Sequence, residues 1–212
     1  GVFQGKILVK KDAQQTDADD ASRCVDFLFS VDPVRYADAI RRGEEYLLDM
    51  ADPRTGGFPT YVPGHASDLD VTAGSVIALL PFWDKHTELL DHSVEYLLDE
   101  QSDDGTYPLA WTMSNTSVIG HVLDALRRAP GQPPEIAQRI ARAAHDGVHY
   151  IHTAQNSDGG WGQQPGQSSD VLSTAHAIPP LSHHGIAHAL NRGVTYLLSR
   201  QHPDGAFSSP PD

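Results

Sequence analysis

At 212 residues, 39% of them hydrophobic, the chain is long enough for one good core, and it holds no apolar run long enough to span a bilayer. A formal net charge of −13 argues against nucleic acid and anionic membrane surfaces as partners. The single cysteine, Cys24, excludes an internal disulfide and a thiolate metal cluster, which fits a reducing cytoplasm.

The N-terminus has no signal-peptide pattern, and residues 1–6 read as a segment entered midway. The first feature after it is Thr16-Asp17-Ala18-Asp19-Asp20-Ala21-Ser22, three carboxylates within four residues, just ahead of the apolar run from Cys24 to Phe29. Asp, Ser and Thr accept hydrogen bonds from the unpaired N–H groups of a helix start, so the cluster is placed at the mouth of a helix. Two readings stand side by side: an acidic N-cap on a solvated helix, or a cluster titrating as a group, in which one carboxyl holds a proton. A held proton is what a general acid requires.

From there the chain repeats. Tyr96, Tyr150 and Tyr196 each lead to a glutamine (Gln101, Gln155, Gln201), then a glycine (Gly105, Gly159, Gly205), then an aromatic (Tyr107, Trp161, Phe207). A degenerate copy runs from Tyr46 to Gly57-Phe58, with Ala51 in place of the glutamine. The period is roughly fifty residues, enough for one helix pair per repeat. Charged amphipathic outer helices are predicted over 34–49, 87–100, 134–154 and 185–200. Each is followed by a Gly-rich turn and then by a sparsely charged inner helix, starting at Asp70-Val71-Thr72, Asn115-Thr116-Ser117 and Ser173-Thr174-Ala175. The acidic cluster falls at the equivalent position of the first repeat. Asp68 and Asp70 read as a repeat-equivalent cap, with a metal-binding carboxylate pair as the alternative. In the Gln-to-aromatic signature the glutamine satisfies loose helix-end groups, the glycine allows a left-handed turn and the aromatic packs across the repeat junction. Strands are absent from the prediction, and 130–134 and 163–169 are loops. The fold class is all-α, an α/α toroid of repeated helix pairs in a single domain over 1–212.

The signature Gln155-Asn156-Ser157-Asp158-Gly159-Gly160-Trp161, together with Asp17-Ala18-Asp19-Asp20 one repeat ahead of Ser67-Asp68-Leu69-Asp70-Val71-Thr72-Ala73, resembles squalene-hopene cyclases and bacterial class II diterpene cyclases. Ser22 stands where that motif usually continues with threonine. Thr72-Ala73-Gly74-Ser75 stands where bacterial diterpene cyclases often carry Asn-Ala-His. The resemblance implies a C-terminal half of a two-domain enzyme, with an N-terminal half elsewhere and homo-oligomers as a further partnership. It implies protonation-initiated cyclisation of an isoprenoid diphosphate, geranylgeranyl diphosphate going to a copalyl-type bicyclic diphosphate. Triterpene, meroterpenoid and sesquiterpene cyclases of the same mechanism are alternatives. Asp19 is then the general acid, with Asp17 and Asp20 holding it protonated and aligned. His65 or His121 tunes the acid. Trp111, Tyr107, Phe58 and Tyr61 are implied as inner-helix aromatics that stabilise cations. Magnesium accompanies the diphosphate, with no site assignable from the sequence. The rivals are a protein prenyltransferase subunit, disfavoured because Cys24-Val25-Asp26 reverses its zinc motif, and a non-catalytic helix-pair binding module.

Overall fold

A computed structural model describes residues 16–209. Among these residues the chain forms eight α-helices: α1 (Ala18–Val31), α2 (Ala37–Met50), α3 (Leu69–Leu79), α4 (Thr87–Asp99), α5 (Asn115–Arg128), α6 (Pro134–Thr153), α7 (Val171–His183) and α8 (Ala187–Arg200). A 3-10 turn over Leu80–Lys85 links α3 to α4, with Pro81 ending the regular helix. The odd-numbered helices pack side by side as an inner row, α1 on α3, α3 on α5 and α5 on α7. Each even-numbered helix lies behind its partner, and α4 also meets α6, so the pairs form a double-layered arc.

The layers follow from composition. In α3, Val71, Ala73, Val76, Ala78 and Leu79 are buried along with Thr72 and Ser75, because the helix is covered from both sides. The outer helix α2 turns only Ile40, Glu44, Leu47 and Met50 inward, and its exposed face carries Asp38, Arg41, Arg42 and Glu45.

The repeat signature ties neighbouring pairs together. Gln101 Nε2 donates to Gly105 O in its own turn and to Ala143 O in α6, the next outer helix. Gln155 Nε2 does the same with Gly159 O and with Ala189 O in α8. The glycines have φ of 84° and 90°, and a Cβ on Gly105 would sit 2.3 Å from Asp146 O. In the first repeat the structure corrects the assignment of Gly57: the left-handed residue is Gly56, with φ 74°, two positions before Phe58 as in the other copies. There Ala51 has no amide to offer. Ser93 Oγ is instead placed against Gly56 O and Leu89 O.

The recurring tyrosines have a second role that periodicity did not assign. Tyr96 OH reaches Ser67 O and Tyr196 OH donates to Ser169 O, each carbonyl lying just before the N-cap of an inner helix. Tyr150 OH accepts from Asn115 Nδ2 at the start of α5. Outer-helix tyrosines thereby anchor the inner-helix starts. Within the inner starts, Thr72 and Thr174 accept from Phe58 N and Trp161 N, which fixes the signature aromatic beside the cap. Phe58 and Trp161 are fully buried there.

Candidate active site

The four inner-helix starts converge on one cleft of about 440 Å³, within the usual range for small-molecule sites. Each of α1, α3, α5 and α7 contributes to its wall, as do the loops before α3 and α5. The caps explain the convergence. Asp17 Oδ1 accepts from Asp19 N at 2.8 Å, Asp68 Oδ1 from Asp70 N at 2.9 Å, and Asp170 Oδ1 from Ser173 N at 2.7 Å. Ser114, at the cap position of α5, donates from Oγ to Ser173 Oγ and so ties two starts together.

Asp17 and Asp19 line the cleft, and Asp20 is exposed outside its wall. The Asp17 carboxylate is therefore engaged in capping and touches Asp19 through its backbone N–H. Asp19 Oδ1 accepts from Arg23 Nε at 3.1 Å, one helical turn on. Ser22, fully buried, donates to Asp19 O at 2.8 Å and pins this turn. Opposite lies Gly74, where a Cβ would stand 2.8 Å from Ser22 Oγ and 3.8 Å from Asp19 Oδ1, so the glycine lets α3 approach α1 at the candidate acid.

Asp68 is a cap, as expected, with a further property. It is buried on the cleft wall, and its Oδ2 has no hydrogen-bond partner among the described residues. Burial pushes its carboxyl above the usual carboxylate range. The N–H groups of Val71 and Asp70 pull it down, and the charges of Asp70 and Asp19 add to the rise.

His121 lines the same cleft, but its ring is not on Asp19: Nδ1 lies 2.9 Å from Asp70 Oδ1. His176, from α7, meets the His121 ring edge-on at 4.9 Å. His65 is exposed on the loop before α3, lines a smaller neighbouring pocket of about 340 Å³ and is absent from the acid cleft.

The aromatic candidates divide, and none of them is on an inner helix. Tyr61 and Trp111 line the cleft from the loops, edge to face at 5.4 Å and 87°. Trp111 Nε1 donates to Thr60 Oγ1 at 2.8 Å, which fixes the indole plane. Burial raises the Tyr61 phenol, and the negative charge of Asp17 beside it raises it further. Phe58 and Tyr107 lie in the signature turns, buried away from the cleft wall, which places them among the repeat staples.

Sequence reasoning missed Arg23 and His176. A signal was available: counted from the caps Asp17, Asp68 and Asp170, the sixth residue is Arg23, Gly74 and His176. That position falls less than two turns into each helix, on the side of the cleft.

Among the described residues no three His, Cys, Asp or Glu side chains are grouped to hold a metal. Asp17 is taken by backbone N–H groups, Asp19 by Arg23 and Asp70 by His121, so these residues do not fit the magnesium that the resemblance implies. Nor is any described helix long and apolar enough to cross a membrane.

Residues 63–211 match the family model of the squalene-hopene cyclase C-terminal domain. The chain therefore belongs to the squalene-hopene cyclase family, the class II terpene cyclases. It is 37% identical over 162 residues to a drimenyl diphosphate synthase of Streptantibioticus cattleyicolor, covering 76% of this chain and 30% of that protein. A drimenyl diphosphate synthase of Streptomyces showdoensis is 36% identical over 160 residues, with the same coverage of 76% and 30%. The chain thus spans under a third of the length of the curated relatives it matches. Among solved structures, ent-copalyl diphosphate synthase from Streptomyces platensis superposes with a TM-score of 0.70 at 17% identity, covering 91% of this chain and 36% of that one. A variant of the type II terpene cyclase MstE from Scytonema, in complex with geranylgeranyl dihydroxybenzoate, gives 0.71 at 17%, covering 91% and 57%. These likenesses establish the α/α-toroid fold.

Proposed function

We propose that this domain supplies the acid of a protonation-initiated cyclase that converts an isoprenoid diphosphate into a bicyclic diphosphate with the diphosphate retained. The observation that carries the reading is Asp19, two residues inside a helix mouth, on the wall of a cleft lined by all four inner helices. An alkene is a very weak base, so the donor must be close, aligned and shielded from water. Ser22 and Gly74 fix Asp19 from behind, and the cap on Asp17 fixes the turn that carries it. The proton on the Asp19 carboxyl passes to the terminal alkene, whose π electrons form the new C–H bond. The tertiary cation left behind is closed by the next alkenes in turn. Tyr61 and Trp111 line the same cleft, and their π faces supply the negative charge density that stabilises such a cation. Arg23 Nε lies 3.1 Å from Asp19 Oδ1, so catalysis requires the guanidinium to turn outward and leave that oxygen to the substrate, and 52% of its side chain is already exposed.

Geranylgeranyl diphosphate is the substrate that the sequence resemblance implied. The two relatives at 36–37% identity are named for drimenyl diphosphate, a bicyclic sesquiterpenyl diphosphate, and they favour the shorter farnesyl diphosphate. The test supplies the full-length protein with each diphosphate separately, beside Asp19→Asn. Products are dephosphorylated and resolved by chromatography and mass. A bicyclic alcohol that disappears in Asp19→Asn supports the reading, and the substrate that yields it gives the chain length. Full activity in a folded Asp19→Asn protein overturns the assignment of the acid.

A further inference from the structure

We infer that the pair Asp70–His121, backed by His176, is the base that ends the cyclisation, on the wall of the cleft away from Asp19. The inference rests on the protonation-initiated reading above. Such a reaction takes one proton from the protein and must return one. A C–H bond next to the final cation breaks, its electrons form the product alkene, and the proton needs an acceptor inside the cleft. The acceptor must be unprotonated when the cation forms and must point a lone pair at it.

The residues on the wall narrow the choice. Asp19 has just given up its proton, and a base reclaiming it at the same atom would only reverse the first step. Asp17 is engaged by the backbone N–H groups of its own helix. Asp68 is on the wall as a cap, with Oδ1 taken by Asp70 N and Val71 N and Oδ2 itself buried. Asp70 is taken by His121 Nδ1 at 2.9 Å. A carboxylate only accepts, so in the neutral imidazole this contact puts the hydrogen on Nδ1 and leaves the lone pair on Nε2. His121 lines the cleft, so the lone pair belongs to a group on its wall. Asp70 then stabilises the imidazolium that forms, the role a carboxylate plays behind a catalytic histidine. The His176 ring stands edge-on at 4.9 Å, so a second imidazole shares this stretch of the wall.

Placement along the arc agrees. Asp19 is on α1 and His121 on α5, with α3 packed between them. Acid and base therefore stand on different walls, and a substrate lying across the cleft meets the acid at one end of its forming ring system and the base at the other. Asp70, on the intervening helix, reaches toward the base and not toward the acid.

The test uses full-length His121→Phe, which keeps the ring volume without the nitrogens, and Asp70→Asn, which keeps an acceptor for Nδ1–H but removes the charge. Wild type and Asp19→Asn are run in parallel in heavy water, and folding is checked by circular dichroism. In wild type the product carries one deuterium, delivered with the first protonation. The expected result for His121→Phe is continued consumption of substrate, slowed by about tenfold or more, with the product shifted from a single alkene toward a water-captured alcohol and alkene isomers. Asp70→Asn shifts the same ratio by less. A folded His121→Phe protein that gives the wild-type alkene alone overturns the assignment. So does one that gives no product of any kind, as expected of Asp19→Asn, since that would place His121 on the acid side. If His121→Phe fails to fold, an unchanged product ratio in Asp70→Asn overturns it. A wild-type protein that makes no cyclised product overturns the underlying class reading instead.

Discussion

Asp68 shows at the scale of one residue how a cap and a site interfere. Its Oδ1 satisfies Asp70 N and Val71 N, while Oδ2 faces a buried surrounding without a partner. Because burial raises its carboxyl in the fold, the native state holds that proton more tightly than the unfolded chain does. Its contribution to stability is thus fullest below the unfolded value of 3.8 and is lost as pH rises through the higher native value. Asn caps as well as Asp and carries no charge to bury. Asp68→Asn is therefore expected to melt higher than wild type at pH 7, by a few degrees for a gain of about 1 kcal/mol. The two proteins should converge near pH 3. Melting curves across that range check it, and a variant that is less stable at neutral pH would show that the charge is used in the fold. The residue pattern placed Asp68 at a helix start but was silent on the lone oxygen. Whether a second carboxylate oxygen finds a partner depends on the loop and helix facing it, and no spacing within one helix records that.

Elements are joined here by side chains that cross from one repeat to the next, and the joints are unequal. Gln155 spans a turn carbonyl and the neighbouring helix, both at 2.9 Å, and its acceptors lie in part-buried surroundings. Among the described residues Gln201 Nε2 donates to Gly205 O alone, at 3.1 Å, and the residue is exposed. Two hydrogen bonds at about 1 kcal/mol each put the cost of Gln155→Ala near 2 kcal/mol, or about 4–8 °C in Tm. In the 212-residue chain Gln201→Ala is expected to stay within about 0.5 kcal/mol. Thermal melts of the two variants side by side would decide it, and equal losses would mean that the bond to the next helix contributes nothing. The helix pairs were legible in the sequence because both of their signals are local: apolar residues at helical spacing, and capping residues ahead of them. The first repeat was misread by one residue at Gly57. Gly56 and Gly57 are both glycine, and a Cβ on either would clash, 2.2 Å from Ser93 N or 2.4 Å from Ser67 Oγ, so only the φ of 74° singles out Gly56 as the left-handed residue. The aromatics Phe58 and Tyr107 were assigned to the cleft for a similar reason. A sequence marks an aromatic at a repeat junction without saying which side of the inner layer it packs on.

For the whole molecule, the anchoring of inner-helix starts by outer-helix tyrosines makes the site and the fold one titrating system. Burial holds Tyr96 up to about 12, with the charges of Glu100 and Asp68 adding, and burial raises Tyr107 further. Tyr150 and Tyr196 are raised by burial as well, against Asn115 in one case and Arg200 in the other. Each native tyrosine thus keeps its proton beyond pH 10, the unfolded value, where the unfolded chain releases it. The stability these groups contribute is complete below pH 10 and is lost as pH climbs toward 12. Tyr96 and Tyr196 donate their phenol hydrogens at the starts of α3 and α7, so ionising either loosens a wall of the cleft, whereas Tyr150 accepts from Asn115 at the start of α5 and keeps that role as a phenolate. Alkaline unfolding is therefore expected to be cooperative, setting in above pH 10. Tyrosinate absorbance should rise together with the loss of helical circular dichroism, because the fold must open before these phenols ionise. Tyr196→Phe removes one anchor, a 2.7 Å bond to Ser169 O, at a cost of about 1 kcal/mol. It should move the alkaline transition little, since the hydrogen bond and one titrating proton are lost together. A stepwise tyrosinate signal that precedes the loss of helix would show that the phenols ionise within the intact arc and that their protons do not hold the inner row in place.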